Sequence, residues 1–435
     1  METIVQIAQL LLALSILVGI HEAGHMLAAR FFGMKVEKFF IGFPPTIFSF
    51  KKGDTEYGLG AIPLGGFVKI SGMIDESMDK DQMKQEPQPW EFRSKPAWQR
   101  LIVMLGGVIV NVVAGIIAFI ILTYNQGETY IPSKYSKEYG IVSNEIGQEV
   151  GFQTGDKIIM VNGADYDRFS DITSGETLLN SEGYWTVDRN GEQIDIKIPI
   201  GFLNNLSDED FQLKFLEPRR PVIVEDLQEG FDIPLQKGDE ILTANGVEIR
   251  YFDQLRSEME KLANQNVEFT IERNGEQMAY NLDVNEDTQI GIVLPQFYEV
   301  DEYTLGEAIP RGTSKAFGAV VLNAKAMGKM FKFNGEMSAR NMSGPIGIVN
   351  MFPKTWDWNA FWGITGFISM VLAFMNLLPI PALDGGHVMF LLFEMVSGKA
   401  PSDRFLENAQ KVGMGVLLLL MIFVFGNDIL KLFGI

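Results

Sequence analysis

The 435-residue chain is long enough for roughly two to four domains, carries a formal charge of −19 and contains no cysteine. Disulfides and thiolate metal ligands are therefore excluded, and so acidic a chain is not a general nucleic-acid binder. Residues 125 to 298 hold 33 acidic and 14 basic side chains, a surplus equal to the whole net charge, which predicts a near-neutral membrane part joined to an acidic soluble part.

Ile4 to Ala29 is an almost unbroken apolar run, the first of four segments of membrane-spanning length; the others are Leu101 to Tyr124, Phe361 to Ile380 and Val412 to Phe433. No Lys or Arg precedes Arg30, so the first run lacks the charged start of a signal peptide and is expected to stay in the mature chain. Near its downstream end it carries His21-Glu22-Ala23-Gly24-His25. Histidines at i and i+4 share one helix face and can reach one metal ion, while Glu22 points beside that ion as a general base. Only three histidines occur in the chain, and an unpartnered imidazole within an apolar span is destabilising. The pair therefore reads as metal-binding rather than as two satisfied core residues.

Eleven basic residues lie from Arg30 to Arg100, and Lys399, Arg404 and Lys411 lie in the third connection, whereas the N-terminus has none. Both short connections are then expected in the cytoplasm, with the termini and the long 125–357 segment outside and the histidine pair toward the cytoplasmic leaflet. Within the first connection, Lys38 to Phe50 and Tyr57 to Ile70 are rich in Phe, Ile, Val and Gly and are separated by turn signals. They read as short strands and hairpins. Such a hairpin either lies on the lipid surface or offers an edge that dips toward the site and pairs with an extended substrate.

An internal repeat follows. Gly155-Asp156-Lys157-Ile158-Ile159-Met160-Val161-Asn162-Gly163 matches Gly238-Asp239-Glu240-Ile241-Leu242-Thr243-Ala244-Asn245-Gly246 at an offset of 83, and Arg189-Asn190-Gly191-Glu192 matches Arg273-Asn274-Gly275-Glu276 at 84. Two units of one fold stand in tandem, with strands around Asn-Gly turns and a helix near Gln254 to Leu262 in the second. They resemble PDZ domains of the form found in bacterial membrane proteases. A peptide ligand of such units would add as a strand to a sheet edge; a spacer or steric filter with no ligand is the other reading.

From Thr304 to Lys332 apolar and small residues recur at helical spacing with Lys315, Lys325, Lys329 and Lys332. The segment predicts an amphipathic helix, lying at the outer membrane face or packed on the soluble pair. Asn341 to Gly347 reads as a turn into the third span. That span ends in Asn376-Leu377-Leu378-Pro379-Ile380-Pro381-Ala382-Leu383-Asp384-Gly385-Gly386-His387. Locally this is a broken helix followed by an Asp-Gly-Gly turn, tolerated at membrane depth only where protein or a cavity buries it. A catalytic zinc needs three protein ligands and one open position; Asp384 is the best third ligand and His387 its competitor.

With these motifs in place, the chain resembles the site-2 proteases, intramembrane zinc metalloproteases, in the bacterial RseP type with tandem PDZ domains. The likeness rests on His-Glu-x-x-His, Gly107 to Asn111 in the second span, the repeated units, Ser-Gly-Pro-Ile and Asn-x-x-Pro-x-Pro-x-Leu-Asp-Gly-Gly-His. It implies that His21, His25 and Asp384 bind one zinc ion per chain, that Glu22 is the catalytic acid/base and that Asn376 helps hold the unwound substrate. The hairpin looks like the family's membrane-re-entrant β-loop, which implies a substrate-pairing edge at Tyr57, Gly58, Leu59, Gly60, Ala61 and Ile62. The chain departs from the family with Gly42-Phe43-Pro44 for Gly-Phe-Gly and Gly107-Val108 for Gly-Pro; the first proline removes a backbone donor.

The expected fold is a polytopic α-helical membrane protein with four transmembrane helices, a membrane-associated β-hairpin loop and two tandem PDZ-like α+β domains. Its parts are 1–124 with the loop at about 35–72, the PDZ-like domains at 125–204 and 218–298, an amphipathic helical region at 299–357 and the last two spans at 358–435. The expected activity is regulated intramembrane proteolysis in the bacterial inner membrane. The family's substrates are single-span proteins already shortened outside, such as anti-sigma factors, and signal-peptide remnants, with no nucleic acid involved. Two rivals are a PDZ scaffold with a structural zinc and a metal transporter. Glu22 weighs against the first, and metal-binding groups gathered at one depth weigh against the second.

Overall fold

The structure is a computed structural model and describes residues 2–73, 86–180, 182–199, 202, 215–228, 230–231, 233–286, 288–331 and 344–432. Lys332, Asn341, Met342, Ser343 and Phe433, named above, lie outside the described residues. The chain divides into a helical unit (Met1–Gly127, Glu302–Met327, Ala339–Ile435) and a second unit (Glu128–Asp301, Gly328–Ser338).

The helical unit contains α1 (Glu2–Phe31), α2 (Ala97–Gln126), α3 (Leu305–Phe331), α4 (Pro345–Met351), α5 (Trp358–Leu377), α6 (Asp384–Ser397) and α7 (Asp403–Leu432). Of these, α1, α2, α5 and α7 are long and apolar enough to cross a membrane, so the chain is a polytopic membrane protein. The third span stops at Leu377 rather than Ile380, because Leu378 is extended (φ −61, ψ 143) ahead of Pro379. The fourth begins earlier than Val412, so Arg404 and Lys411 ride on α7 and not in a connection.

Helix α2 is the hub, packed against α1, α5 and α6. Its crossing with α1 is possible only for glycine: a Cβ on Gly24 would stand 2.3 Å from the Gly106 carbonyl oxygen, and one on Gly106 would stand 2.6 Å from that of Gly24. Several polar groups within the apolar helices are paired, as a medium without water favours. The amides of Gln6 and Gln9 donate to the carbonyls of Phe352 (2.7 Å) and Pro353 (2.8 Å), and Asp428 on α7 accepts from the N–H groups of Gly344 (2.8 Å) and Ile346 (2.9 Å) at the start of α4. Ala308, Gly312 and Ala316 form a small-residue stripe on α3. Ala308 and Ala316 are fully buried, and a Cβ on Gly312 would stand 2.6 Å from the Ile120 backbone. This part of α3 is thus seated on α2, a packing that neither sequence reading of the segment included.

The first connection forms β1 (Val36–Lys52) and β2 (Thr55–Ile70), but the register reveals four segments. Residues 36–41 run antiparallel to 66–70 on one side, with Val36 opposite Ile70 and Ile41 opposite Gly66. On the other side they run parallel to 56–59, the partners rising together from Lys38 and Glu56 to Ile41 and Leu59. Residues 46–52 pair antiparallel with 55–60, giving the order 66–70, 36–41, 55–60, 46–52. The sheet is tied to the end of α1 by Arg30, whose guanidinium donates to Thr55 Oγ1 (3.0 Å) and Tyr57 Oη (2.5 Å). Its tip carries apolar groups outward: Ile47, Phe48 and Phe50 are each at least half exposed.

In the second unit the repeat reappears as structure. The first copy has β3 (Lys157–Val161), β4 (Tyr184–Arg189) and β5 (Glu192–Lys197) around a core containing Ile158, Trp185 and Val187. The second has β6 (Glu240–Ala244), β7 (Val247–Glu248), β8 (Asn266–Arg273) and β9 (Glu276–Asp283), with a helix at Phe252–Met259, around Ile241, Phe269 and Ile271. Arg189 grips Asp156 through two bonds of 2.7 Å, and Arg273 grips Asp239 through bonds of 2.7 and 2.6 Å. The paired carboxylates also accept from the N–H groups of Gln153 (2.8 Å) and Gln236 (2.7 Å). The four Asn-Gly turns of the two repeats adopt positive φ at both residues, as in Asn162 (52°) and Gly163 (74°). Glu128–Tyr130 pairs with Glu299–Asp301, so the two ends of the 128–301 stretch lie on adjacent strands.

Candidate metal centre and active site

His21 and His25 lie on the face of α1 turned to α2, and both are buried (9% and 6% exposed). They are brought to a carboxylate 359 positions beyond His25 by the segment after α5. There Leu378 to Leu383 doubles back, and α6 opens at Asp384. The expected Asp-Gly-Gly turn is thus the first turn of a 14-residue helix. Its glycines serve packing rather than turning: a Cβ on Gly385 would stand 2.3 Å from the Leu378 oxygen, and one on Gly386 2.6 Å from the Ile380 oxygen. Ala382 holds φ at 99°, a backbone region that disfavours side chains, so the turn that delivers Asp384 is strained. Arg100 at the start of α2 bonds Glu394 of α6 at 2.5 Å, fixing the far end of the same helix.

Three ligand-type atoms converge. Asp384 Oδ2 stands 3.1 Å from His21 Nε2 and 3.3 Å from His25 Nε2, and the two Nε2 atoms are 3.2 Å apart. Oδ2 is nevertheless buried with no hydrogen bond of acceptable geometry. Corners of a tetrahedron with metal–ligand bonds of about 2.0–2.2 Å lie about 3.3–3.5 Å apart. The donor set, its spacing and the orphaned oxygen therefore fit a zinc ion. Among the described residues this trio is the one group so arranged. His387, the competing ligand, stands outside it but lines the same cavity of about 480 Å³.

That cavity also receives Glu22 and, from the sheet, Gly66, Phe67 and Val68. A Cβ on Gly66 would stand 3.4 Å from Glu22 Cγ, so the acid lies along the 66–70 segment. Asn376, in the last turn of α5, reaches the trio, its Nδ2 standing 3.5 Å from His21 Nε2. The expected pairing edge requires correction. Tyr57, Gly58 and Leu59 have strand neighbours on both sides, Gly60 faces Thr46 and Ile62 faces Phe43. None of these, nor Ala61, lines the cavity. Tyr57, Gly58 and Leu59 are enclosed within the sheet because 36–41 inserts between 56–59 and 66–70. The segment that lies at the site is 66–70, whose strand neighbour among the described residues is 36–41 and whose Gly66, Phe67, Val68 and Ile70 line the cavity.

Sequence reasoning missed what α2 contributes. The Val103 carbonyl lies 2.8 Å from His25 Nδ1, and Asn111 Nδ2 lies 3.3 Å from His21 Nδ1. A Cβ on Gly107 would stand 2.5 Å from His25 Nε2, so this glycine is the floor on which the imidazoles rest. The likeness marked Gly107 to Asn111 without giving them a role; their spacing, one helical turn apart on a single face, is the trace the sequence carries.

A helix bundle holding two imidazoles, a carboxylate from a broken helix and an adjacent glutamate defines a membrane metallohydrolase. The model of peptidase family M50 matches residues 9–420, and the chain belongs to this family, the site-2 proteases; it is a site-2-type metalloprotease. It is 29% identical to the regulator of sigma E protease of Haemophilus influenzae, over 97% of this chain and 98% of that one. To the regulator of sigma-E protease RseP of Salmonella typhimurium it is 27% identical, over 98% of each chain. A provisionally named zinc metalloprotease of Pasteurella multocida is likewise 27% identical over 98% of each.

Proposed function

We propose that the chain cleaves single-span membrane proteins within the bilayer, using one zinc ion held by His21, His25 and Asp384, with Glu22 as the catalytic acid/base. The observation that carries this reading is the meeting of three ligand atoms within 3.3 Å of one another beside a cavity that Glu22 also lines. A zinc ion there would lower the pKa of a coordinated water and polarise the scissile carbonyl. Glu22 takes a proton from the attacking water and returns it to the leaving amide nitrogen.

A helical substrate hides its carbonyls in its own hydrogen bonds and must unwind before attack. Addition of the unwound strand to 66–70 replaces those bonds, and the Asn376 amide donates to one further substrate carbonyl. The exposed Ile47, Phe48 and Phe50 seat the sheet in lipid from the cytoplasmic side. With the basic connections inside, the termini and the acidic unit lie outside, in a bacterial inner membrane. The two repeats are PDZ-like domains that reject substrates with intact outer domains. The chain's substrates in this reading are anti-sigma-factor-like proteins shortened by a first outer cut, alongside signal-peptide remnants; the names of two relatives, regulator of sigma-E protease, support a link to sigma-E regulation.

The test is Glu22→Gln in purified full-length protein, with zinc content and cleavage of a single-span substrate measured together. Zinc is expected to remain near one per chain while turnover falls by at least two orders of magnitude. Turnover at the parent rate would remove Glu22 from its role. A chain that holds no zinc before or after the substitution, yet cleaves, would remove the metal.

A further inference from the structure

The two imidazoles are held from α2 by groups of opposite kind. Against His25 Nδ1 stands the Val103 carbonyl at 2.8 Å, which can only accept, so that ring carries its proton on Nδ1 and turns a lone pair on Nε2 toward Asp384. Against His21 Nδ1 stands a donor, the Asn111 Nδ2, at 3.3 Å. Asn111 is 1% exposed, and its Oδ1 is buried without a hydrogen-bond partner. If His21 Nε2 binds an ion, Nδ1 must hold the proton and two donors would face each other. Rotating the amide by 180° turns that clash into a hydrogen bond and gives Oδ1 its partner. The two ends of an amide have nearly the same shape, so the rotation needs no new space.

We infer that Asn111 is a positioning residue for the metal centre, its side-chain oxygen accepting the Nδ1 proton of His21 and so fixing the tautomer whose Nε2 faces the ion. Its backbone is anchored in turn: Ser369 of α5 donates to the Asn111 carbonyl at 2.8 Å. Helix α2 then acts as the outer support of both rings, through a main-chain acceptor for one and a side-chain acceptor for the other. The inference rests on reading His21, His25 and Asp384 as metal ligands.

The experiment compares Asn111→Leu, which removes the acceptor at similar volume, with Asn111→Asp, which keeps one, in the full chain. Zinc affinity is read by competition with a chelating dye. Loss of such an outer partner weakens metal binding roughly 10- to 100-fold; that loss is expected for Asn111→Leu, with Asn111→Asp within about threefold of the parent. With only three histidines in the chain, ¹⁵N-histidine spectra of the zinc-loaded protein add a readout independent of activity. The Nδ1 proton of His21 is expected to contact the Asn111 side-chain carbonyl carbon, and its signal to shift in Asn111→Leu. Unchanged affinity in Asn111→Leu, equal losses in both variants, or a His21 ring facing the amide nitrogen each overturn the inference. Should Asn111→Leu not fold, the parent spectrum decides alone. A parent that binds no zinc refutes the metal reading itself, a result distinct from any of these.

Discussion

Replacing Gly107 by alanine probes how tightly the metal centre is framed. The new methyl carbon would stand 2.5 Å from His25 Nε2, 2.6 Å from His21 Cε1 and 2.7 Å from His21 Nδ1, where ordinary contact begins at 3.4 Å. The overlap of roughly 0.7–0.9 Å is several times the tolerance of about 0.2 Å that a metal site allows its ligands. Either the rings tilt or α2 backs away from α1, and the Gly24–Gly106 contact resists the second. Overpacking of this kind costs about 1–3 kcal/mol, offset by up to about 1 kcal/mol from the better helix propensity of alanine. If the metal-free protein relaxes by moving its rings, zinc loading must reverse that movement. The expected loss of zinc affinity is then about 5- to 150-fold. The assay is chelator competition on detergent-solubilised protein, with Gly318→Ala as the control, since nothing lies within 4 Å of a Cβ there. A Gly107→Ala protein that binds zinc within twofold of the parent would refute the reasoning, because the imidazoles could not then be resting on that glycine.

Two further outcomes concern the acidic unit. Asp239 is fully buried, and the Arg273 guanidinium bonded to it holds its carboxyl below the usual range. Its contribution to stability is therefore full above about pH 4 and is lost as pH falls through the lowered folded-state value. Asp239→Ala removes both bonds to Arg273 and the acceptor of the Gln236 N–H and is expected to destabilise the unit; hydrogen exchange over β6 and β8 in the full chain should register it, and unaltered protection would contradict this. Replacing residues 128–301 by a short flexible linker is feasible because the bounding strands are paired neighbours, and it should permit cleavage of substrates that retain their outer domains; a persisting need for prior trimming would count against the filter.

The features legible in the sequence are those in which one stretch of chain dictates its own structure. The i, i+4 histidines announce a shared helix face, and the offsets of 83 and 84 mark a repeat whose buried Asp–Arg grip recurs at the matching positions. What could not be read depends on distant backbone. Gly385 and Gly386 look the same in sequence whether they make a turn or leave room for the carbonyls of Leu378 and Ile380. The alternation in Tyr57 to Ile70 predicts strands but not their neighbours, so the insertion of 36–41 between 56–59 and 66–70 was hidden. Likewise Asn111 and Gly107 gain their roles only because Gly24 and Gly106 let two helices nearly touch.

The distance along the chain between the imidazoles and Asp384 bears on the birth of the protein. At about 5–20 residues per second, a ribosome needs roughly 20–70 s to pass from the first ligands to the last. Throughout that interval the histidine helix can already be in the bilayer, among other newly inserted polypeptides, without the carboxylate that completes the centre. On the proposed ligand set, a nascent chain therefore cannot complete its metal centre until nearly nine-tenths of it has been made.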